Sequence, residues 1–127
     1  MVNLIICVTL FYTLHLFLRM SFSLHKVPFI NFTYAGGDDS GITDLSKRMV
    51  IATDNLRQSM LIFIPFAMMS VVLDVDNLML AKSWFGLRIV YLLGHMVNLY
   101  RFPLIRPVIW LPSIVILVMM GLNLCTL

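Results

Sequence analysis

Long apolar stretches dominate this chain, and its few charged side chains fall between them. Residues 1–18 carry no charge before Arg19. Gln58 to Leu73 is uncharged between Arg57 and Asp74, and its helix can extend forward through the polar run KRMVIATDNLRQ. Asn77 to Tyr100 is apolar apart from Lys82 and Arg88, and Pro107 to Leu127 is uncharged throughout. At ~1.5 Å rise per residue, segments of this size approach or match a hydrocarbon core of about 30 Å. The pattern predicts helices over 2–20, 46–73, 77–101 and 105–126, with 21–45 as a long connecting loop. Lipid offers no hydrogen bonds to a backbone, so helices, which satisfy their own, are the expected element. The expected fold is a single-domain, all-α integral membrane protein, a four-transmembrane-helix up-down bundle.

Composition agrees. Of 127 residues, 61% are hydrophobic and 12% charged, whereas soluble domains run nearer one half and one quarter. The chain is too short for an inverted-repeat transporter and shows no internal repeat. The opening MVNLIICVTL has no basic leader, and no small-residue cleavage site follows, so the first helix is expected to remain. Charge then orients the bundle. Arg19, Lys26, Lys47 and Arg48 flank the first connection and Arg101 and Arg106 the third, while the second, VLDVDN, offers only Asp74 and Asp76. The positive-inside rule predicts connections one and three in the cytoplasm and both termini outside, with Lys82 reaching to the outer interface. The net charge of +3 thus reads as topology rather than nucleic-acid binding, and the short loops suit a bacterial inner membrane.

Isolated polar residues mostly have plain readings. Asp38 and Asp39 in YAGGDDSG fit a solvated turn better than a metal site. Asn31 opens an acceptor triplet for glycosylation, NFT, which would be silent in the cytoplasm. Asp44 stands where it can act as the N-cap or a near-cap of the second helix. Cys7 and Cys125 are expected as small buried thiols, although pairing at the outer depth stays open. His15 and His95 could face one another across a haem, but nothing else supports one, and His95 reads better as a hydrogen-bond donor inside the bundle. No metal site is expected.

Arg88 is the informative charge. It lies thirteen residues before Arg101, ~20 Å into its span at helical rise. An arginine there costs several kcal/mol without partners and marks either a functional site or a clamp between helices. At ~100° per residue, Trp84, Arg88, Tyr91 and His95 share one face of the third helix. Arg48, Ala52, Asn55 and Ser59 share a face of the second, with Gln58 beside it. Asp54 and Arg57 lie off that face, three apart, and can pair locally. Pro65 should kink the second helix. Pro103 and Pro107 bracket the last turn, with Pro107 in a first-turn position and Arg106 directly before the helix.

Two stretches carry a family resemblance. LSKRMVIATDNLRQSMLIFIPF resembles the second-helix signature of the membrane-associated proteins in eicosanoid and glutathione metabolism (the MAPEG family): an arginine, an asparagine seven residues on, and a third polar position three later. FGLRIVYLLGHMVNLYRFPLIRPVIW resembles that family's Arg-x-x-Tyr helix followed by a basic residue opening the last helix. The likeness covers roughly residues 34–112. It implies a homotrimer of four-helix protomers that binds glutathione between neighbours at the cytoplasmic side and acts on an apolar electrophile or hydroperoxide from the lipid. By position, Arg48, Asn55, Gln58, Arg88 and Tyr91 would contact the tripeptide, and Arg106 would stabilise its thiolate. The family's glutamate position holds Gln58 here, in a chain without any Glu, and Pro107 stands where the family often has serine. Alongside a glutathione transferase or peroxidase stand a catalytically silent scaffold or ligand-binding protein of the same fold and, last, a small transporter subunit. The last lacks a carboxylate deep in a span.

Overall fold

The computed structural model describes residues 1–33, 37 and 41–126, and among these it is helical without strands. The helices are α1 (Val2–Ser21), α2 (Asp44–Val72), α3 (Leu78–Met96) and α4 (Ile105–Cys125), with 3-10 turns at Phe29–Phe32 and Leu99–Arg101. Two of them, α2 and α4, are long and apolar enough to cross a membrane. Asp38 and Asp39, read above as a turn, lie outside the described residues.

Helix α2 is the central element, packing against α1, α3 and α4. Its buried residues Met49, Ala52, Leu56, Ser59, Phe63, Ala67 and Ser70 recur at spacings of three and four. The same rhythm recurs in Ala81, Trp84, Arg88, Tyr91 and His95 of α3 and in Ser113, Leu117, Met120 and Leu124 of α4. Alternating steps of three and four keep one seam of a helix facing its neighbours. The small Ala52, Ser59, Ala67 and Ser70 on that seam allow the backbones to approach closely. Two apolar clusters result. Val8, Leu56, Phe63, Trp84, Leu117 and Met120 anchor one, with the Phe63 and Trp84 rings stacked 4.0 Å apart. Met49, Ala52, Tyr91 and Leu92 form the other. The remaining apolar surface points outward, with Leu10, Leu61, Val72 and Val108 all more than half exposed.

Several expectations shift by a few residues. Thr43 rather than Asp44 caps α2, its hydroxyl accepting from the Ser46 amide at 3.2 Å, and Asp44 sits in the first turn, where its charge suits the helix dipole. The same threonine donates to Phe22 O at 3.1 Å and so ties the end of the long loop to the end of α1. Pro65 lies inside α2 without ending it, and Pro112 lies likewise inside α4. The third helix stops at Met96, not at 101. Asn98 adopts a left-handed conformation (φ 55°), which asparagine tolerates because its side chain can bond locally. Arg106 consequently falls in the first turn of α4 rather than before it, beside Pro107. Both cysteines are free and exposed rather than buried.

At the far end, Asn77 is 1% exposed and joins three elements. Its amide donates to Ser70 Oγ of α2 at 2.9 Å and to Met120 O of α4 at 3.3 Å, and its carbonyl accepts from Asn123 Nδ2 at 2.8 Å. Both amide hydrogens and the carbonyl oxygen of that side chain are engaged, so its burial is compensated.

Candidate functional site

The buried seams of α2, α3 and α4 meet at Arg88, which is 3% exposed. Its Nη1 donates to Asn55 Oδ1 of α2, and its Nη2 donates to Ser113 Oγ of α4 at 2.6 Å. The guanidinium carbon lies 5.6 Å from the Trp84 ring centre and 5.7 Å from that of Tyr91, within cation–π reach. One helix therefore supplies the cation and two aromatic neighbours, and the two flanking helices each supply a neutral acceptor. Arg88 Nε is buried with no partner among the described residues, as are Trp84 Nε1 and His95 Nε2. Neutral acceptors soften the cost of burying the guanidinium but leave its charge uncancelled.

Two more guanidiniums converge on the same end of α3. Arg106 Nε donates to the Tyr91 hydroxyl at 2.9 Å. Arg48 Nε donates to His95 O at 2.7 Å, one of the last carbonyls of α3, which have no partner within the helix. Tyr100 folds back from its 3-10 turn, its hydroxyl donating to Tyr91 O at 3.0 Å and its ring 4.6 Å from His95. The approach of Tyr100 requires Gly94: a Cβ there would stand 2.5 Å from its ring. A cleft of about 270 Å³ lined by Asn55, Arg106, Pro107 and Trp110 opens beside this cluster.

The structure thus brings together Arg48, Asn55, Arg88, Tyr91 and Arg106. It does not bring in Gln58. That amide is exposed and donates to Asp54 Oδ2 at 3.2 Å, one helical turn earlier, while Asp54 also takes Arg57 in an ion pair of 2.6 Å. The local pairing of Asp54 with Arg57 is as the spacing predicts; its capture of Gln58 is not. Ser113 and Trp110 are the residues that sequence reasoning missed. The only signal for Ser113 was a hydroxyl inside an otherwise apolar segment, next to Pro112. Among the described residues, no side-chain hydrogen bond joins His95 to a partner. Its ring packs edge-on against Tyr91 and Tyr100, and its contribution is the backbone carbonyl that Arg48 grips. His15 is spoken for differently, its Nδ1 lying 2.9 Å from Phe11 O. Among the described residues, no group of three or more His, Cys, Asp or Glu side chains forms a metal site.

What this arrangement can do follows from its charge. Three guanidiniums meet near one cleft, and none has a carboxylate partner among the described residues. Such a cluster attracts an anion, and its planar forks suit carboxylate or phosphate. No protein-family model, no curated protein and no solved structure matches this chain.

Proposed function

We propose that the chain is an integral membrane protein of the MAPEG type, a glutathione-dependent transferase or peroxidase acting on an apolar electrophile or hydroperoxide. In this reading four helices span a bacterial inner membrane with both termini outside, and three protomers assemble. One observation carries the ligand assignment: Arg106 lines a cleft beside Arg88 and Arg48, and none of the three has a carboxylate partner among the described residues. The two carboxylates of glutathione suit guanidinium forks. Arg106, in the first turn of α4, is exposed toward the cleft and steered by Tyr91. A fixed cation there favours the thiolate over a thiol whose ordinary pKa is ~8.5, and the thiolate is the nucleophile. Its sulfur attacks the electrophilic carbon, and the leaving group departs with the bonding pair.

The test is a glutathione titration of the purified protein in detergent, followed by conjugation of a model aryl halide. Arg106→Ala should bind glutathione within a few-fold of wild type and lose about 10²-fold in kcat. Equal turnover removes the thiolate role.

A second reading, ligand binding without chemistry, is favoured by the lining of the cleft. Asn55, Arg106, Pro107 and Trp110 include no base to take the thiol proton. Binding without turnover in the same experiment selects it.

A further inference from the structure

The charge balance of the Arg106 cleft bears on which anion it takes. An ammonium group needs acceptors, preferably a carboxylate, to replace its water. Here the acceptors nearest the cleft are already engaged. Asn55 Oδ1 receives Arg88, the Tyr91 hydroxyl receives Arg106, Tyr91 O receives Tyr100, and His95 O receives Arg48. The nearest carboxylate on α2, Asp54, is half exposed on another face and holds both Arg57 and Gln58. Ser113 Oγ accepts from Arg88 and donates its own proton to Trp110 O at 2.6 Å. What remains unsatisfied is donor capacity: Arg88 Nε is buried without a partner, and Arg106 has only its Nε bonded to another described residue.

We infer that the cleft selects anions that bring no ammonium group with them: ligands whose entering end carries carboxylate or phosphate oxygens alone. The inference rests on the anionic-ligand reading above and narrows it. Free glutathione is then a poor version of the preferred ligand, because its amine would be placed beside the Arg106 guanidinium, with Arg88 behind Asn55. The same tripeptide with that amine acylated keeps both carboxylates and the thiol and loses the repelling charge. A phosphomonoester lipid such as phosphatidic acid offers the same chemistry from the bilayer side, and phosphatidylethanolamine adds the unwanted ammonium.

Four probes in two matched pairs separate these sources. Glutathione and N-acetylglutathione are titrated against the purified full-length protein in a neutral detergent. Phosphatidic acid and phosphatidylethanolamine are compared by native mass spectrometry of the same sample. The amine-free member of a pair should bind at least about tenfold more tightly, the lower end of what a misplaced like charge costs. In Arg106→Gln, which removes the exposed charge and keeps a side-chain amide to donate to Tyr91, the preference should shrink. In Asn55→Asp, which places a carboxylate beside Arg88, it should vanish or reverse. Equal affinities within both pairs, or tighter binding of the amine-bearing members, overturn the inference while leaving an anion site in place. Preference for phosphatidic acid with no binding of either tripeptide removes the glutathione reading and keeps the inference, with a lipid as the source. No binding of any of the four overturns both.

Discussion

At Arg88 the question is whether the guanidinium holds the fold or waits for a ligand, and its partners separate the two. A clamp would be fully satisfied; Arg88 has two neutral acceptors and one bare buried nitrogen. Replacing a buried charge whose partners are neutral leaves no charge unpaired and removes its desolvation cost, whereas removing one of those partners leaves the charge short of a hydrogen bond. Arg88→Met should therefore change stability by no more than about 1 kcal/mol, because Ser113 still has Trp110 O as acceptor and Asn55 faces the cleft. Ser113→Ala, which leaves Nη2 buried and unpaired, should cost about 1–3 kcal/mol. Thermal unfolding in one detergent compares them, and the reverse order would make Arg88 a structural clamp. Helical spacing alone makes the pairing of Asn55 with Arg88 legible, since Asn55 borders the buried seam of α2 and Arg88 lies on that of α3. Ser113 was not legible, because a single hydroxyl in an apolar helix ordinarily bonds its own backbone. Gln58 misled for a related reason: the wheel puts it beside the seam, but an acceptor four residues back competes for its amide and wins.

Among the elements, the turn between α3 and α4 has most to do with shaping the site. The helix ends at Met96, the chain reverses through left-handed Asn98 and Leu104, and Tyr100 lands over Gly94. That reversal brings Arg106 within reach of Tyr91. A methyl group on Gly94 would push the Tyr100 ring away and break its hydrogen bond to Tyr91 O. Gly94→Ala should lose about 1–3 kcal/mol, as overpacking usually does, and should weaken ligand binding in parallel. Tyr100→Ala removes the obstacle, so the double variant should be markedly less destabilised than the two single losses predict, a non-additivity that a double-mutant cycle reads directly. Additive losses would mean that the two residues are not in contact. The existence of α3 and α4 was plain from their apolar runs. The early stop of α3 was not, because VNLYRF continues the same hydropathy and the break depends on the backbone freedom of one asparagine.

On the scale of the whole chain, the polar groups are sorted by end. The arginine cluster lies at the end where α1 finishes and α2 begins. The Asn77 lock, with Asp74 and Asp76 nearby, lies at the end where α2 finishes and α3 begins. Helix α2, at 29 residues, rises about 43 Å, some 13 Å more than a hydrocarbon core requires. If its apolar half is immersed, the Asp44–Thr53 segment stands in the headgroups and water, and the Arg106 cleft opens at that boundary, where a water-borne anion and a lipid-borne substrate can meet. Side-specific labelling tests this placement. With Cys7 and Cys125 changed to alanine, a cysteine at Thr126 should react with a membrane-impermeant maleimide in intact spheroplasts. A cysteine at Gly41 should react only after permeabilisation, and the change is sterically mild, since an added Cβ there meets only Val27 at an ordinary 3.6 Å. Labelling of the Gly41 position first would invert the bundle and put the arginine cluster outside. Labelling of both positions from one side would mean that an even number of helices cross between them rather than the three of α2, α3 and α4, leaving the up-down arrangement without support.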